Sequence, residues 1–317
     1  MLPFKTFFLF LAGVALAFSA DALAYTVSIN QLVEHPSLDE AVRGFKEQLA
    51  ALGVEVTYND HNAQGNQAAI TQIVNQIIDE KPDLVLAVAT PSAQQTAQKI
   101  RDIPILFTAV TDPVSAGLVA SMEAPGGNVT GTTDMNPIDA QLALIQEVLP
   151  QAKNIGIIYN AGEINSTVQV DLAKAAGAKL GFAFVDGVTA NTAGVLQAAQ
   201  SLVGKVDAIY LPTDNTVISS LESVLKVAID HKIPVFPSED DSVRKGGLAT
   251  VSLSYYELGR QTGRMAAKIL QEGATPASMP VESQETHKLI INAGFAKLIG
   301  FTIPPEVQAR AAETLLN

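Results

Sequence analysis

The sequence contains no cysteine and no tryptophan, and aromatic residues make up only 6% of its 317 positions. Without cysteine the chain can form no disulfide and no thiolate metal site, and it offers no cysteine for N-terminal lipid attachment. The histidines show no metal-ligand spacing, and neither a phosphate-binding loop nor a serine nucleophile elbow occurs. We therefore expect a protein that uses no metal or cofactor and is stabilised by its hydrophobic core alone.

Positive charge is also scarce, since the chain has 20 lysines and arginines but 32 aspartates and glutamates, which gives a formal net charge of -12. The acidic residues are scattered along the chain. Such a protein is a poor partner for nucleic acid or for an anionic membrane. The wealth of small aliphatic residues favours strands covered by helices on both faces, and the length is sufficient for two domains.

The first residues have the features of a secretory signal. Lys5 precedes an apolar stretch over 7–18, and Ala22-Leu23-Ala24 matches an A-x-A cleavage site. The apolar stretch is short for a membrane span. We predict a signal peptide over 1–24, a mature chain that begins at Tyr25, and a freely soluble protein, most simply in a bacterial periplasm.

One pattern occurs in each half of the chain. Residues 83–90 and 207–213 each begin with Asp, continue as a buried strand and end in a polar turn with Thr. A helical stretch and a strand opened by Ile-Pro follow in both copies. With the regular strand–helix alternation elsewhere, this pattern predicts an α/β protein with parallel sheets in two lobes. We place the first lobe at 25–134 plus 254–285 and the second at 135–253 plus 286–317, with crossings near 133–137, 252–255 and 284–288.

Ligands of open parallel sheets bind beyond the carboxyl ends of the strands, so the polar turns there are candidate binding residues. In the first lobe, Thr90 or Ser92 opens a helix whose free N–H groups suit a carboxylate, or is an ordinary helix cap. Thr108 ends the next strand, where it either completes that site or belongs to a turn. His35, after the first strand, is a ligand contact, a pH-sensitive group or a structural turn residue. Ser37 reads as the start of a capping box.

The second lobe carries more acids at its strand ends. Asn165 or Ser166 opens a helix and either donates to an anion or caps the helix. Glu163 either accepts a hydrogen bond from a cationic group of the ligand or fixes the conformation of its own loop. Asp214 and Glu239 either pair with an ammonium group or are helix-terminal charges favoured by the dipole. The two sets of turns differ in polarity, which suits a ligand with one anionic and one cationic end.

Several motifs, in this order along the chain, resemble the periplasmic substrate-binding proteins of ABC transporters, in particular the tryptophan-binding-like ones. The motifs lie at 31–39, 89–93, 111–113, 125–131, 165–166, 211–214 and 292–304. The resemblance covers essentially the whole mature chain. It implies a type I periplasmic-binding fold, which has two Rossmann-like lobes and a three-strand hinge. It also implies an aromatic amino acid as ligand, delivered to a membrane permease that a separate ATPase drives.

Transferred position by position, the resemblance also implies a set of ligand contacts. The implied carboxylate contacts are Thr90, Ser92, Thr108 and Ala109. The implied contacts from the other lobe are Asn165, Asp214 and Glu239, with Asp214 or Glu239 neutralising the amine. The implied contacts at the side-chain end are Gln31 and Glu34. No aromatic clamp is evident, since Tyr159 and Tyr210 are expected to point into the sheets.

The leading hypothesis is a monomeric solute-binding protein, not an enzyme, that closes on a small zwitterion such as an aromatic or large apolar amino acid. A sugar, nucleoside or other metabolite is an alternative within the same class, although sugar sites usually stack on aromatic residues that this chain has in small number. An exported two-lobed enzyme is a third reading, because acid pairs in a cleft can perform acid–base chemistry. No nucleophile–base series supports it.

Overall fold

The structure, a computed structural model, describes residues 24–316. The signal peptide predicted over 1–24 therefore lies outside the described residues, except for its last position. Within the described part of the chain, no helix has both the length and the apolar character needed to cross a membrane.

The first lobe is built on a five-stranded parallel sheet. Its strands are β1 (Tyr25–Gln31), β2 (Val56–Asn62), β3 (Leu84–Val88), β4 (Ile105–Val110) and β5 (Val129–Thr133), in the spatial order β2-β1-β3-β4-β5. Its helices are α1 (Pro36–Ala51), α2 (Gln67–Glu80), α3 (Thr90–Lys99) and, from late in the chain, α10 (Tyr255–Glu272). Every residue of β3 is buried, as expected for a strand that helices cover on both faces.

The second lobe repeats this design around a four-stranded parallel sheet. Its strands are β6 (Asn154–Asn160), β7 (Ala183–Thr189), β8 (Ala208–Leu211) and β9 (Val235–Pro237), in the spatial order β7-β6-β8-β9. Its helices are α4 (Ile138–Val148), α5 (Ile164–Lys179), α6 (Val195–Leu202), α7 (Asn215–Ile218), α8 (Leu221–His231), α9 (Asp240–Lys245), α11 (Ala293–Leu298) and α12 (Pro305–Arg310).

A third, small sheet lies where the chain passes between the lobes. Its strands are β10 (Ala249–Ser252), β11 (Lys288–Asn292) and β12 (Glu313–Leu315). Strands β10 and β11 are antiparallel, while β11 and β12 are parallel. The described residues form two separate hydrophobic cores, one under each large sheet. The predicted fold class, a two-lobed α/β protein with parallel sheets, is confirmed; the exact limits of the lobes stay a prediction.

The aspartate that opens each copy of the repeated pattern has the same structural role in both lobes. Asp83 Oδ2 accepts from the backbone N–H of Thr26 at 2.7 Å, at the start of β1. Asp207 Oδ2 accepts from the backbone N–H groups of Lys153 and Asn154, both at 2.8 Å, at the start of β6. The repeat therefore reflects a shared way of fixing the first strand of each sheet at the end remote from the cleft.

Helices α1 and α10 pack so closely that glycine is required at their contact. A Cβ atom on Gly259 would lie 1.9 Å from the carbonyl oxygen of Ala41, and one on Gly44 would lie 2.1 Å from that of Tyr256. The second half of the chain thus returns to cover the first sheet, and it brings the start of α10 to the cleft.

Two local predictions are wrong. Helix α1 begins at Pro36, with His35 at the N-cap and no side-chain cap, because proline is favoured in the first turn of a helix. Ser37 lies inside that turn, so no capping box forms. The one helical stretch expected after residues 207–213 is divided into α7 and α8, and Ser220 stands between them at the N-cap of α8.

Candidate functional site

The carboxyl ends of the strands in both lobes border a common cleft, which is where open α/β sheets bind ligands. The outer part of this cleft has a volume of about 610 Å³. The first lobe lines it with Leu32, Val33 and Pro91, and the second lobe contributes Asn160 and Asn215 among others. The candidate site is therefore the space between the lobes.

Two hydroxyl groups at the start of α3 are buried and have no hydrogen-bond partner among the described residues. They belong to Thr90 and Ser92, which are 1% and 0% exposed. Neither residue caps the helix, because Ala89 holds the N-cap position. An unpaired buried hydroxyl costs about 1–3 kcal/mol, and a helix N-terminus favours an anion. This turn therefore suits a carboxylate supplied from outside the chain.

The backbone at the ends of β3 and β4 is strained. Ala89 has φ 75° and ψ 155°, and Ala109 has φ 56°, values that residues other than glycine rarely adopt. Such residues cost on the order of 1–3 kcal/mol each and cluster at ligand-binding sites. The N–H of Ala89 donates to the carbonyl of Thr108 at 3.1 Å, so the two strained strand ends are joined directly beside Thr90.

The side chain of Thr108 points into the first lobe. Thr132 Oγ1 donates to Thr108 Oγ1 at 3.2 Å and lies 2.8 Å from Thr262 Oγ1 of α10. Thr108 is fully buried in this group of threonines. Its backbone, and not its hydroxyl, therefore lies at the strand end next to the cleft.

Gln31 and Glu34, the residues expected at the side-chain end of the ligand, occupy different environments. Gln31 Nε2 donates to the carbonyl of Val33 at 2.9 Å and to Asp39 Oδ1 at 2.7 Å. Gln31 thus fixes the loop between β1 and α1. Glu34 is exposed at the surface of the same loop, so the structure does not enclose it in the site.

Asp214 is the N-cap residue of α7. Its Oδ1 accepts from the N–H of Val217 at 2.8 Å, and its Oδ2 accepts from the N–H of Asn160 and the hydroxyl of Ser166, both at 2.6 Å. Burial raises the pKa of Asp214 to about 7, and repulsion by Glu163 adds to the effect. Both carboxylate oxygens of Asp214 accept hydrogen bonds from groups of the second lobe. Asp214 therefore acts as a helix cap, which is one of the alternatives considered above.

Glu163 and Asn165 form a second buried group in the same lobe. Glu163 Oε2 accepts from Asn215 Nδ2 at 2.6 Å, and Oε1 accepts from the hydroxyl of Thr216 at 2.7 Å. Glu163 therefore connects the start of α5 to α7 and fixes the conformation of its loop, which is one of the two alternatives considered above. Asn165 Nδ2 donates to the carbonyl of Thr213 at 2.9 Å, whereas its Oδ1 has no partner among the described residues. Asn165 is not the cap of α5, whose N-cap is Glu163.

Glu239 is the predicted acid that contacts the other lobe. Its Oε2 accepts from Ser37 Oγ of α1 at 2.8 Å and from Ser242 Oγ of its own lobe at 3.3 Å. Burial raises the pKa of Glu239 to about 8, and repulsion by Asp241 and Asp134 contributes, while the hydrogen bond from Ser37 opposes the shift. A buried, uncharged carboxyl of this kind becomes ionised when a cation binds beside it.

Three buried residues at the chain crossings, which were not predicted as site residues, are Asp134, Asn136 and Tyr255; Asp134 and Tyr255 lie near Glu239. Tyr255 Oη donates to Asp134 Oδ2 at 2.7 Å, and Thr111 Oγ1 donates to Asp134 Oδ1 at 2.9 Å. Asn136 Oδ1 accepts from the N–H of Leu253 at 3.2 Å, and its Nδ2 is buried with no partner in the described part of the chain. The sequence signal for them is weak, because each becomes a neighbour of the cleft only when distant segments cross.

His35 is buried at the cleft, with 6% of its surface exposed. Burial lowers the pKa of its imidazole to about 4; the amide of Asn215 opposes this shift, and the charge of Lys245 increases it. Both neighbours belong to the second lobe, so the ring faces across the cleft. Neither ring nitrogen has a hydrogen-bond partner of normal geometry among residues 24–316.

Two lobes and a cleft with unpaired buried polar groups define a two-lobed protein that binds a small molecule. No group of acids and histidines in the described residues is arranged to hold a metal ion. The family of ABC transporter substrate binding proteins matches residues 26–315. The chain belongs to this family, which confirms the resemblance seen in its motifs, and it is a substrate-binding protein rather than an enzyme.

Individual relatives agree with this assignment. The chain is 42% identical to a tyrosine-binding protein of Clostridioides difficile, over 86% of this chain and 80% of that protein. It is 36% identical to an ABC domain from Streptococcus pneumonia in complex with L-Trp, with a TM-score of 0.89 and coverage of 92% and 100%. It is 40% identical to a substrate binding protein with adhesive properties from Clostridium difficile in its ligand-free, open form, with a TM-score of 0.69 and coverage of 93% and 100%.

The two structural comparisons differ in a way that concerns the lobes. Identity and coverage are similar in both, yet the superposition is much better on the complex with L-Trp than on the ligand-free, open structure. In this chain the hydrogen bond between Ser37 and Glu239 also joins the lobes directly. The two lobes are therefore in direct contact across the cleft in the described structure, an arrangement that we call closed.

Proposed function

We propose that this chain is the exported solute-binding component of an ABC importer and that it captures an aromatic amino acid between its lobes. The observation that carries the proposal is a set of buried polar atoms at the cleft that have no hydrogen-bond partner within residues 24–316. These atoms are Thr90 Oγ1, Ser92 Oγ, Asn165 Oδ1, Asn136 Nδ2 and the ring nitrogens of His35. They come from both lobes, and a ligand held between the lobes would supply the missing partners.

The two charged ends of an amino acid match two different parts of this cleft. The start of α3 offers its carboxylate the hydroxyls of Thr90 and Ser92, together with free backbone N–H groups. Glu239 offers its ammonium group a buried carboxyl, and the resulting ion pair would be strong because it is desolvated. Asn165 adds a polar group from the second lobe. Of the other residues expected at the site, Asp214 fixes the start of α7 and Gln31 fixes the loop between β1 and α1.

An aromatic side chain is favoured by what the relatives bind and by the space available. A tyrosine-binding protein and an L-Trp complex stand among the relatives with substantial identity. Leu32, Val33 and Pro91 give the outer cleft an apolar wall on the first lobe, against which an aromatic ring can be buried. A ring in the outer cleft leaves the amino and carboxyl groups in the polar interior.

Export and delivery complete the proposal. The predicted signal peptide would send the chain to the periplasm, where it would act as a soluble monomer. Closure of the lobes on the ligand would create the surface that docks on a membrane permease, driven by a separate ATPase. Reporter fusions to the first 24 residues, with and without Lys5 and the apolar stretch, would test export.

The binding proposal is tested by isothermal titration calorimetry of the mature chain with each of the twenty amino acids. The protein is first unfolded and refolded, so that ligand carried through purification is removed. We expect saturable binding of at least one aromatic amino acid and weaker binding or none for small and charged ones. The absence of binding heat with every aromatic amino acid would refute the assignment of the ligand. A mass spectrum of the ligand released on unfolding would then identify the solute class.

A further inference from the structure

The imidazole of His35 is the largest unpaired polar group at the cleft. It lies at the start of α1, 6% exposed, and neither of its nitrogens has a hydrogen-bond partner of normal geometry among residues 24–316, while the side chain of Asn215 lies close enough to interact with one of them. A neutral imidazole carries one donor and one acceptor, and a buried group of this kind is normally satisfied. Asn215 can satisfy only one of the two nitrogens, so the other nitrogen indicates a partner from outside the described residues.

The position of His35 points to the side-chain end of the ligand. Leu32 and Val33 of the same loop line the outer cleft, and so does Asn215, the neighbour of His35 in the other lobe. The side chain of Asn215 is held in place by its hydrogen bond to Glu163 at 2.6 Å. The polar groups suited to the ligand's carboxylate and ammonium lie elsewhere, at the start of α3 and at Glu239. Asn215 thus lines the part of the cleft that would hold the ring, and His35 lies next to Asn215.

We infer that His35 is a specificity-determining residue that accepts a hydrogen bond from a polar hydrogen on the aromatic ring of the ligand. The phenol of tyrosine and the indole of tryptophan both carry such a hydrogen, whereas phenylalanine carries none. Phenylalanine would leave the imidazole nitrogen buried and unpaired, which is the situation in which a site rejects an analogue most strongly. This inference rests on the proposed function and specifies how its site selects among aromatic amino acids.

Matched pairs of ligands test the inference on the unaltered protein. L-tyrosine and L-phenylalanine differ by one hydroxyl, and L-tryptophan and L-3-benzothienylalanine differ by the replacement of the ring N–H with sulfur. Calorimetry is expected to show that the ligand with the polar hydrogen binds more tightly in at least one pair, on the order of tenfold to a hundredfold. A difference in affinity within the tyrosine pair indicates recognition of the phenol, and a difference within the tryptophan pair indicates recognition of the indole. Less than about threefold separation in both pairs would overturn the inference.

The substitution His35→Leu then assigns the discrimination to this side chain. Leucine fills a similar volume but has no donor or acceptor, so the separation is expected to fall below about threefold, mainly because the ligand with the polar hydrogen loses affinity. Retention of the separation in a folded His35→Leu protein would overturn the role of His35. If this variant does not fold, the absence of a separation in the ligand pairs on the unaltered protein would still overturn the inference. A protein that binds no aromatic amino acid at all would refute the proposed function, a result distinct from binding without discrimination.

Discussion

The hydrogen bond between Ser37 and Glu239 offers a direct test of how the closed structure is held. Ser37 lies in the first turn of α1 and is 0% exposed, and its hydroxyl donates to Glu239 Oε2 at 2.8 Å across the lobes. The substitution Ser37→Ala removes this bond and leaves the backbone unchanged. Because the bond joins the two lobes, separation of the lobes would break it, so its loss should favour the open arrangement and weaken ligand binding.

The magnitude depends on the charge of Glu239. A hydrogen bond between neutral groups contributes about 1 kcal/mol and one to a charged group about 1.5–3 kcal/mol. At a factor of ten per 1.4 kcal/mol, Ser37→Ala should raise the dissociation constant between about fivefold and a hundredfold. The upper part of this interval applies if the ammonium of the ligand ionises Glu239. Most of the change should appear as faster ligand release, as is usual for related complexes.

Calorimetry and stopped-flow fluorescence measure the dissociation constant and the release rate. Ser242→Ala is the matched control, since Ser242 donates to the same Oε2 atom from within the second lobe at the longer distance of 3.3 Å. This control should change affinity by less than about threefold. Equal effects of the two substitutions, or unchanged affinity and release in Ser37→Ala, would refute the idea that this bond stabilises closure.

Four further predictions concern the same cleft. Ser92→Ala should weaken ligand binding about tenfold without lowering the melting temperature of the ligand-free protein, because the hydroxyl has no partner among the described residues; a lower melting temperature would show that it serves the fold. Asp214→Ala should reduce the free energy of unfolding in urea by at least about 2 kcal/mol, since it removes a helix cap and leaves buried donors unpaired; a loss below about 0.5 kcal/mol would contradict this. Ala89→Gly should stabilise the protein by about 1 kcal/mol by relieving the strain at positive φ; an unchanged or lower stability would contradict the strain. Folding raises the pKa of Glu239 from 4.5 to about 8, so the folded protein binds more protons at this site than the unfolded protein does. The contribution of Glu239 to stability therefore falls as pH rises from about 4.5 through 8. Glu239→Gln should flatten the fall in melting temperature over this pH interval, and an unchanged slope would refute the pKa shift.

The sequence predicted the scaffold well because the signals for it are local. Hydrophobic periodicity and residue composition identify buried strands such as β3. The alternation of strands with helices along the chain indicates parallel sheets. The opening aspartates of the two repeats were recognised as equivalent, and Asp83 and Asp207 indeed have equivalent contacts. Helix starts were less predictable, because Ser37 matched the N-cap of a capping box while Pro36 placed the start of the helix two residues earlier.

The candidate site was predictable only in part. The rule that ligands bind at strand ends identified the turns that hold Thr90, Ser92 and Glu239. It did not identify which polar groups are satisfied within the chain. Asp214 and Glu239 both follow strands of the second lobe, yet one is fully used by its own lobe and the other contacts Ser37.

The sequence by itself determined the class of fold, the family and the set of polar turns, because these depend on residue types and their spacing along the chain. The tertiary structure decided which side chains in those turns remain without a partner and which lobe each one faces. Hydrogen bonding is a matter of a few tenths of an ångström and of direction, and it joins residues as distant in sequence as Ser37 and Glu239. Such proximity follows from the packing of the lobes, and no local pattern encodes it.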